Sequence, residues 1–170
     1  ELQGAVGGLY LAREGAAPEV CEGVARHYGA PEAGTPGRRT AARVLVADQI
    51  DKLAGYLGSG IEPKGSSDPY GLRRAANLLV EAAWAWQGPF GGYAALFCEA
   101  LRLYAEGGIE LDSARAEASF LALMHQRYEP LMPGFRPDVV AAAVPDEAAA
   151  ADPRGVRLRA QALAMLAEEP

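Results

Sequence analysis

Residues 46–76 read VADQIDKLAGYLGSGIEPKGSSDPYGLRRAA. In the first part, Val46, Ile50, Leu53 and Leu57 recur at the i, i+4, i+7, i+11 spacing that lays one apolar stripe along a helix. Asp48, Asp51, Lys52 and Gly55 fall on a neighbouring stripe by the same spacing. The spacing predicts a helix over Arg39–Leu57. The stretch from Gly58 to Pro69 is glycine, serine and proline in large part, and reads as a loop. It ends in Asp68-Pro69, a cap followed by a residue suited to the first helical position, so a further helix is expected to start there. That helix carries Leu72, Ala75, Ala76, Leu79, Ala83 and Trp86 along one side. Two amphipathic helices joined by a constrained loop make the core of the reading.

Working outward, the same periodicity continues on both sides. Upstream, a helix is expected from Leu2 to Glu14, weakened locally by Gly4, Gly7 and Gly8, and another from Pro18 to Tyr28. Gly29 to Gly37 reads as a loop. Downstream, Gly88-Pro89 and Gly91-Gly92 interrupt the pattern. A helix then spans Tyr93–Glu106 and stops at Gly107-Gly108. Asp112 caps a helix predicted to reach Tyr128; Pro137 opens a short one with Asp138 in its first turn and Val144 near its end; a last amphipathic helix runs from Asp152 to Pro170. No alternating β-branched run is long enough for a strand. The expected fold class is all-α.

Composition narrows the function classes. Half of the 170 residues are apolar, enough for a sizeable core. No run of about 18 uncharged apolar residues occurs, and no signal-like segment opens the chain at Glu1, so it reads as a cytoplasmic segment of a longer protein. Cys21 and Cys98 stand alone and read as buried, reduced thiols outside any redox or metal motif. The net charge of −6 argues against a nucleic-acid binder as a whole. Its distribution says more: from Arg38 to Arg74 seven basic residues (Arg38, Arg39, Arg43, Lys52, Lys64, Arg73, Arg74) face four acids (Asp48, Asp51, Glu62, Asp68). That island is +3 and the remainder −9.

Motifs for chemistry are sparse. No phosphate loop, dinucleotide fingerprint or nucleophile elbow is present. His27, at a helix end, and His125, inside a helix, read as structural. Asp48 and Asp51 could ligate a metal or share a proton, but with no histidine nearby they read as partners of arginines or as helix caps. The constrained cluster is Pro63-Lys64-Gly65-Ser66-Ser67-Asp68-Pro69-Tyr70-Gly71-Leu72-Arg73-Arg74. A tight loop entering a capped helix, with N–H groups and cations together, favours phosphate or carboxylate. The alternative is that Arg73 or Arg74 reaches back to Asp48 or Asp51 and pins two helices, and the residues alone favour this pinning.

This cluster, with Gly60-Ile61-Glu62 before it and Ala75-Ala76 after it, resembles a hallmark of the bacterial glycyl-tRNA synthetase β subunit. Val46 to Gly55 is similar to a family helix in which Lys and Thr usually stand where Gln49 and Lys52 stand here. Glu1-Leu2-Gln3-Gly4 with Tyr10 is similar to an upstream family segment, in which an Arg is usual at Gly8. Weaker similarity runs through Ala100-Leu101-Arg102-Leu103-Tyr104 and Phe135-Arg136-Pro137-Asp138-Val139-Val140.

The resemblance implies an HD-domain-like helical bundle over residues 1–132 and a helical extension over 133–170. It implies a non-catalytic, tRNA-binding part of an ATP-dependent glycine–tRNA ligase, working with an α subunit that holds ATP and Mg2+, and no cofactor or catalytic residue in this segment. HD-type phosphohydrolases bind metals through a His-Asp pair. No such dipeptide occurs here, although Asp48 stands where the last Asp of that motif would fall. The expected RNA contacts are Lys64, Arg73 and Arg74, then Arg38, Arg39, Arg43 and Lys52. Asp48, Asp51, Gly65, Asp68 and Pro69 are expected to shape the motif. A metal-dependent phosphohydrolase and a scaffold contacting other parts of the ligase are the alternatives.

Overall fold

A computed structural model describes residues 2–28, 37–86 and 91–168. Among them the chain forms ten helices and no strand: α1 (Leu2–Arg13), α2 (Pro18–Arg26), α3 (Arg38–Gly58), α4 (Leu72–Ala85), α5 (Ala94–Glu106), α6 (Ser113–His125), α7 (Tyr128–Leu131), α8 (Pro137–Ala143), α9 (Glu147–Ala150) and α10 (Pro153–Glu168). The only β-type pairing among these residues is the single bridge between Lys64 and Ser67. The fold is all-α, as the periodicity requires. The expected breaks at Gly29–Pro36 and Gly88-Pro89 and the chain end at Pro170 lie outside the described residues.

The stripe on α3 does what its spacing predicts. Ile50, Leu53 and Leu57 are buried, and Val46 packs against the same core from a half-exposed position. Leu72, Ala75, Ala76, Leu79 and Ala83 of α4 face them. The aromatic filling comes from α5 and α6, whose Phe97 and Phe120 rings stack 4.2 Å apart, and from Tyr93 and Tyr128. The two tyrosines are buried, yet each hydroxyl donates a hydrogen bond to a carbonyl, Tyr93 to Leu79 (2.8 Å) and Tyr128 to Ala150 (2.6 Å). A buried hydroxyl needs such a partner. Burial pushes both phenols above their ordinary pKa. Val139, Val140, Ala143, Val156 and Ala160 belong to this same core, so α8 and α10 pack onto the bundle. Trp84 Nε1 ties α4 to the start of α10 through Pro153 O (2.8 Å).

The glycines of α1 have a packing reason. A Cβ on Gly4 would stand 2.9 Å from Ala25 O, and one on Gly8 only 2.7 Å from Cys21 O. The α1 and α2 backbones approach too closely for any side chain, which is the use of glycine that outweighs its weak helix propensity. This pair leans on the start of α3, where Ala41, Ala42 and Leu45 are buried outside the main core.

The expectation that both cysteines are buried is corrected, since Cys21 is only partly buried and Cys98 is exposed. Several expected boundaries also move. The helix expected to start at Asp68-Pro69 begins at Leu72, because Pro69 is used in a turn closed by Gly71 N–H to Asp68 O (3.1 Å) and Gly71 takes a φ of 65°. Trp86 lies just past the end of α4 in extended backbone. The helix expected to reach Tyr128 stops at His125, and a separate short α7 begins at Tyr128. Asp112 caps α6 as expected, accepting from Arg115 N–H (3.1 Å). Asp152 receives Gly155 N–H (3.0 Å) at the start of α10, one residue before the helix.

Candidate nucleic-acid interface at the loop end of α3 and α4

The helix α3 is 21 residues long, about 30 Å at 1.5 Å per residue. Arg38 at its start reaches Ala85 O at the end of α4, while Lys52 Nζ near its end lies 3.6 Å from where a Cβ on Gly71 would sit, at the start of α4. The two helices are therefore antiparallel. The seven cations that form one island in sequence divide between the two ends.

At the loop end, Asp68 organises the entry to α4. Its carboxylate oxygens accept from Leu72 N–H (2.7 Å) and Arg73 N–H (2.9 Å). This corrects one expectation: those helix-start N–H groups are occupied by the chain's own carboxylate and do not face an outside anion. Arg73 also departs from the pinning role, since its guanidinium donates to Gly65 O (2.6 Å) and Ser67 O (3.3 Å) and not to Asp48 or Asp51. Gly65, with φ of 52°, sits in the tight turn that the Lys64–Ser67 backbone pairing closes (2.8 and 3.1 Å). Lys64 projects from this turn, exposed, and Arg74 is exposed one position after Arg73. Tyr70, 45% exposed, stacks on Tyr56 of α3 at 4.5 Å.

The loop is fastened to α6 as well. Glu62 accepts from Ser119 Oγ (2.7 Å) and pairs with Arg115 at 3.4 Å. The Ser119 hydrogen bond is the main reason its carboxyl is held below the ordinary glutamate range; burial opposes, and the Arg115 and Lys64 charges help. Further along α6, Pro63 and Gln126 line a cavity of about 330 Å3 together with Glu62 and Ser119. The next residue, Arg127, lies within electrostatic reach of both Arg73 and Asp68.

At the opposite end, Arg38 Nη2 donates to Ala85 O (2.6 Å) and so serves a carbonyl at the end of α4. Arg39 lies over the Trp86 ring at 5.9 Å. Arg43 lines an apolar groove of about 710 Å3 between α3, the end of α4 and α5, along with Val46, Ile50, Asp51, Trp86, Leu96 and Leu103. Asp48 is exposed and accepts from Gln49 Nε2 (2.6 Å), and Asp51 lies beside the Tyr104 hydroxyl. Gln49 is buried, with 5% of its surface exposed.

No group of three His, Cys, Asp or Glu side chains comes together as a metal site among the described residues. No helix there is long and apolar enough to cross a membrane. Sequence reasoning missed Tyr56, Tyr70, Arg115 and Arg127 as members of the loop end. Tyr70 sits inside the quoted cluster, whereas Arg115 and Arg127 come from far downstream with no local signal.

Comparison with known proteins adds the family. The model of the family described as glycyl-tRNA synthetase beta subunit matches residues 1–145. The glycine–tRNA ligase beta subunit of Moorella thermoacetica is 37% identical over 148 residues, covering 84% of this chain and 21% of that protein. The one from Magnetococcus marinus is 39% identical over 132 residues, 76% of this chain and 19% of the relative. The one from Desulfitobacterium hafniense is 44% identical over 90 residues, 49% and 13% respectively. The chain thus spans about a fifth or less of the length of these relatives.

Proposed function

The chain belongs to the glycyl-tRNA synthetase beta-subunit family, and from that membership we propose that it is a helical domain that helps a cytoplasmic glycine–tRNA ligase hold tRNA(Gly). An α subunit would carry out the ATP- and Mg2+-dependent chemistry, and this domain would contribute binding alone. The observation that carries the reading is the fastening of the loop end. Arg73 is tied to Gly65 and Ser67, Asp68 to the start of α4, and Glu62 to α6, so the exposed Lys64 and Arg74 are presented from a fixed frame. Cations on a preorganised surface favour the phosphate backbone, which positions an RNA without reading its sequence. Lys52 belongs to this end. Arg38, Arg39 and Arg43 belong to the far end and would add a second, weaker contact.

The test is charge reversal of Lys64 and Arg74 together in the whole ligase. We expect the KM for tRNA(Gly) to rise by roughly an order of magnitude, as the loss of two phosphate contacts implies, with glycine-dependent ATP–pyrophosphate exchange kept. An unchanged tRNA KM in a folded variant would remove the RNA role from this surface.

The resemblance to HD-type phosphohydrolases belongs to the same proposal as a statement of ancestry. The all-α bundle is compatible with it, while the described residues assemble no donor set for the metals of those hydrolases. A scaffold role is supported by a different feature, the apolar groove, where Leu96 and Leu103 are 48% and 54% exposed. Apolar surface of that kind suits contact with the remainder of the ligase. Co-purification of the α subunit with a Leu96→Glu, Leu103→Glu variant of the β subunit would be lost if that contact is real.

A further inference from the structure

Two tyrosines meet at the loop end, and only one of them belongs to the core. Tyr56, on the last turn of α3, is partly buried and packs against the main core. Tyr70 stands across the loop outside that core, with 45% of its surface in water. Its place is set by the chain. Pro69 and Tyr70 are the two central residues of the turn that Gly71 N–H closes on Asp68 O (3.1 Å), and the Asp68 carboxylate in turn holds the start of α4. Proline presets the backbone of such a turn. The Tyr70 ring is thereby laid on Tyr56, with centroids 4.5 Å apart and planes 29° from parallel.

The same elements place the cations around this ring. Lys52 lies one turn before Tyr56 on α3, and residues four apart share a helix face. Its Nζ comes within 3.6 Å of the point where a Cβ on Gly71 would stand, and the Cβ of Arg74 lies 4.0 Å from that point. Gly71 adjoins Tyr70, so an ammonium group and the stem of a guanidinium side chain flank the turn that carries the ring. Lys64 is exposed on the neighbouring turn. Asp68, the acid of this corner, is turned to the N–H groups of Leu72 and Arg73. Cations alone would suit any stretch of RNA backbone, paired or unpaired. A half-exposed aromatic ring among them adds something a duplex cannot use, because duplex bases are already stacked on one another.

We propose that Tyr70, backed by Tyr56, is a stacking platform for one unpaired base of the RNA, with Lys52, Lys64 and Arg74 serving the phosphates beside that nucleotide. The inference rests on the RNA reading above and deepens it: the ligand at this corner is a nucleotide from a loop or an end of the tRNA, and not the backbone of a duplex. Every base offers a π-face, so the platform selects unpaired RNA without reading its sequence. The Tyr56 ring behind Tyr70 holds it in one orientation, which reduces the freedom lost on binding.

The experiment measures binding of a tRNA(Gly) transcript to the full-length β subunit in complex with the α subunit, across a series of salt concentrations. Tyr70→Ala should weaken binding roughly tenfold at every salt concentration, as one lost stacked base implies, and leave the slope of log K against log salt unchanged, since no charge is removed. Tyr70→Phe keeps the ring and should bind as the parent does. Tyr70→Leu keeps an apolar contact with Tyr56 but offers no ring, and should weaken binding as Tyr70→Ala does. If Tyr70→Leu binds as tightly as the parent, the ring only packs on Tyr56 and the proposal is overturned. It is overturned equally if Tyr70→Ala flattens the salt slope, because the ring then acts by holding the cations in place. Loss of the α subunit from the Tyr70→Ala complex would make this face a protein contact, with the same consequence. If Lys64→Glu with Arg74→Glu weakens binding while Tyr70→Ala does not, the stacking role falls and the RNA reading stands. If neither variant weakens binding, both fall.

Discussion

The two ends of the α3–α4 pair hold cations of the same sequence island and use them in opposite ways. At the open end, Arg38 serves the Ala85 carbonyl and Arg39 covers Trp86, beside a groove lined by apolar side chains. Two of the three cations there are taken into a helix-end and a ring contact, while Arg43 stays exposed on the groove. At the loop end, Asp68 and Glu62 take up the backbone and α6, and Arg73 braces the turn, which leaves Lys64 and Arg74 exposed. Two cations at one end serve helix-end and ring contacts; at the other, Lys64 and Arg74 are exposed beside a braced turn. The proposed binding surface is the loop end, which a tally of charges along the chain cannot locate.

The difference can be broken most directly by core truncation. Leu57, fully buried beneath the loop end, also lines the cavity beside Glu62 and Pro63. Leu57→Ala should lose about 2–5 kcal/mol. Val46 packs on the same core from the rim of the open groove, and Val46→Ala should lose roughly 1 kcal/mol, since part of its surface is already in water. Urea unfolding followed by circular dichroism gives both values. Equal losses would mean that the groove end is packed as tightly as the loop end, and the contrast drawn above would fail.

A smaller effect separates the two helix-end devices. Asp68→Ala leaves two N–H groups of α4 uncapped and should lower stability by about 1–2 kcal/mol. At roughly 2–4 °C per kcal/mol for a chain of this size, the thermal midpoint should fall by several degrees. Arg38→Ala removes one hydrogen bond to a terminal carbonyl and should lose about 0.5–1.5 kcal/mol. An Arg38 loss larger than that of Asp68 would make the open end the better fastened one.

Much of this contrast was illegible in the sequence for a physical reason. Period and punctuation carry helices: the α3 stripe, the Asp112 cap and the Pro18 and Pro137 starts were all readable, because each depends on neighbours within one or two turns. The four-residue α7 and α9 are too short to show a period. The start of α4 was read three residues early because Asp68 caps it from beyond a turn, through a left-handed Gly71, and not from the adjoining position. The division of the basic island needed the length and antiparallel course of α3 and α4, which local spacing does not give. The Pro63–Arg74 cluster marked the right neighbourhood but left its cations' partners undetermined.

The smallest effect tests whether the tie between loop and α6 matters to the frame. Glu62 is held below the ordinary glutamate range first by the Ser119 hydroxyl and then by Arg115. A carboxyl whose pKa is lower in the folded chain adds stability above its unfolded value and loses it as pH falls through the folded value. The loop end should therefore loosen below the ordinary glutamate range, and Ser119→Ala should shrink that acid-dependent part while changing little at neutral pH. The effect should be small, because Glu62 and Arg115 are substantially exposed and exposed pairs contribute little. Amide exchange of residues 60–66 at neutral and acidic pH is the suitable readout, since the tie bears on the loop more than on the core. Equal acid-induced exchange in the parent chain and in Ser119→Ala would show that the loop's order derives from Asp68 and Arg73 alone. Lys64 would then be positioned from the α4 side only, and the fixed frame for the exposed cations would be narrower than the contact with α6 suggests.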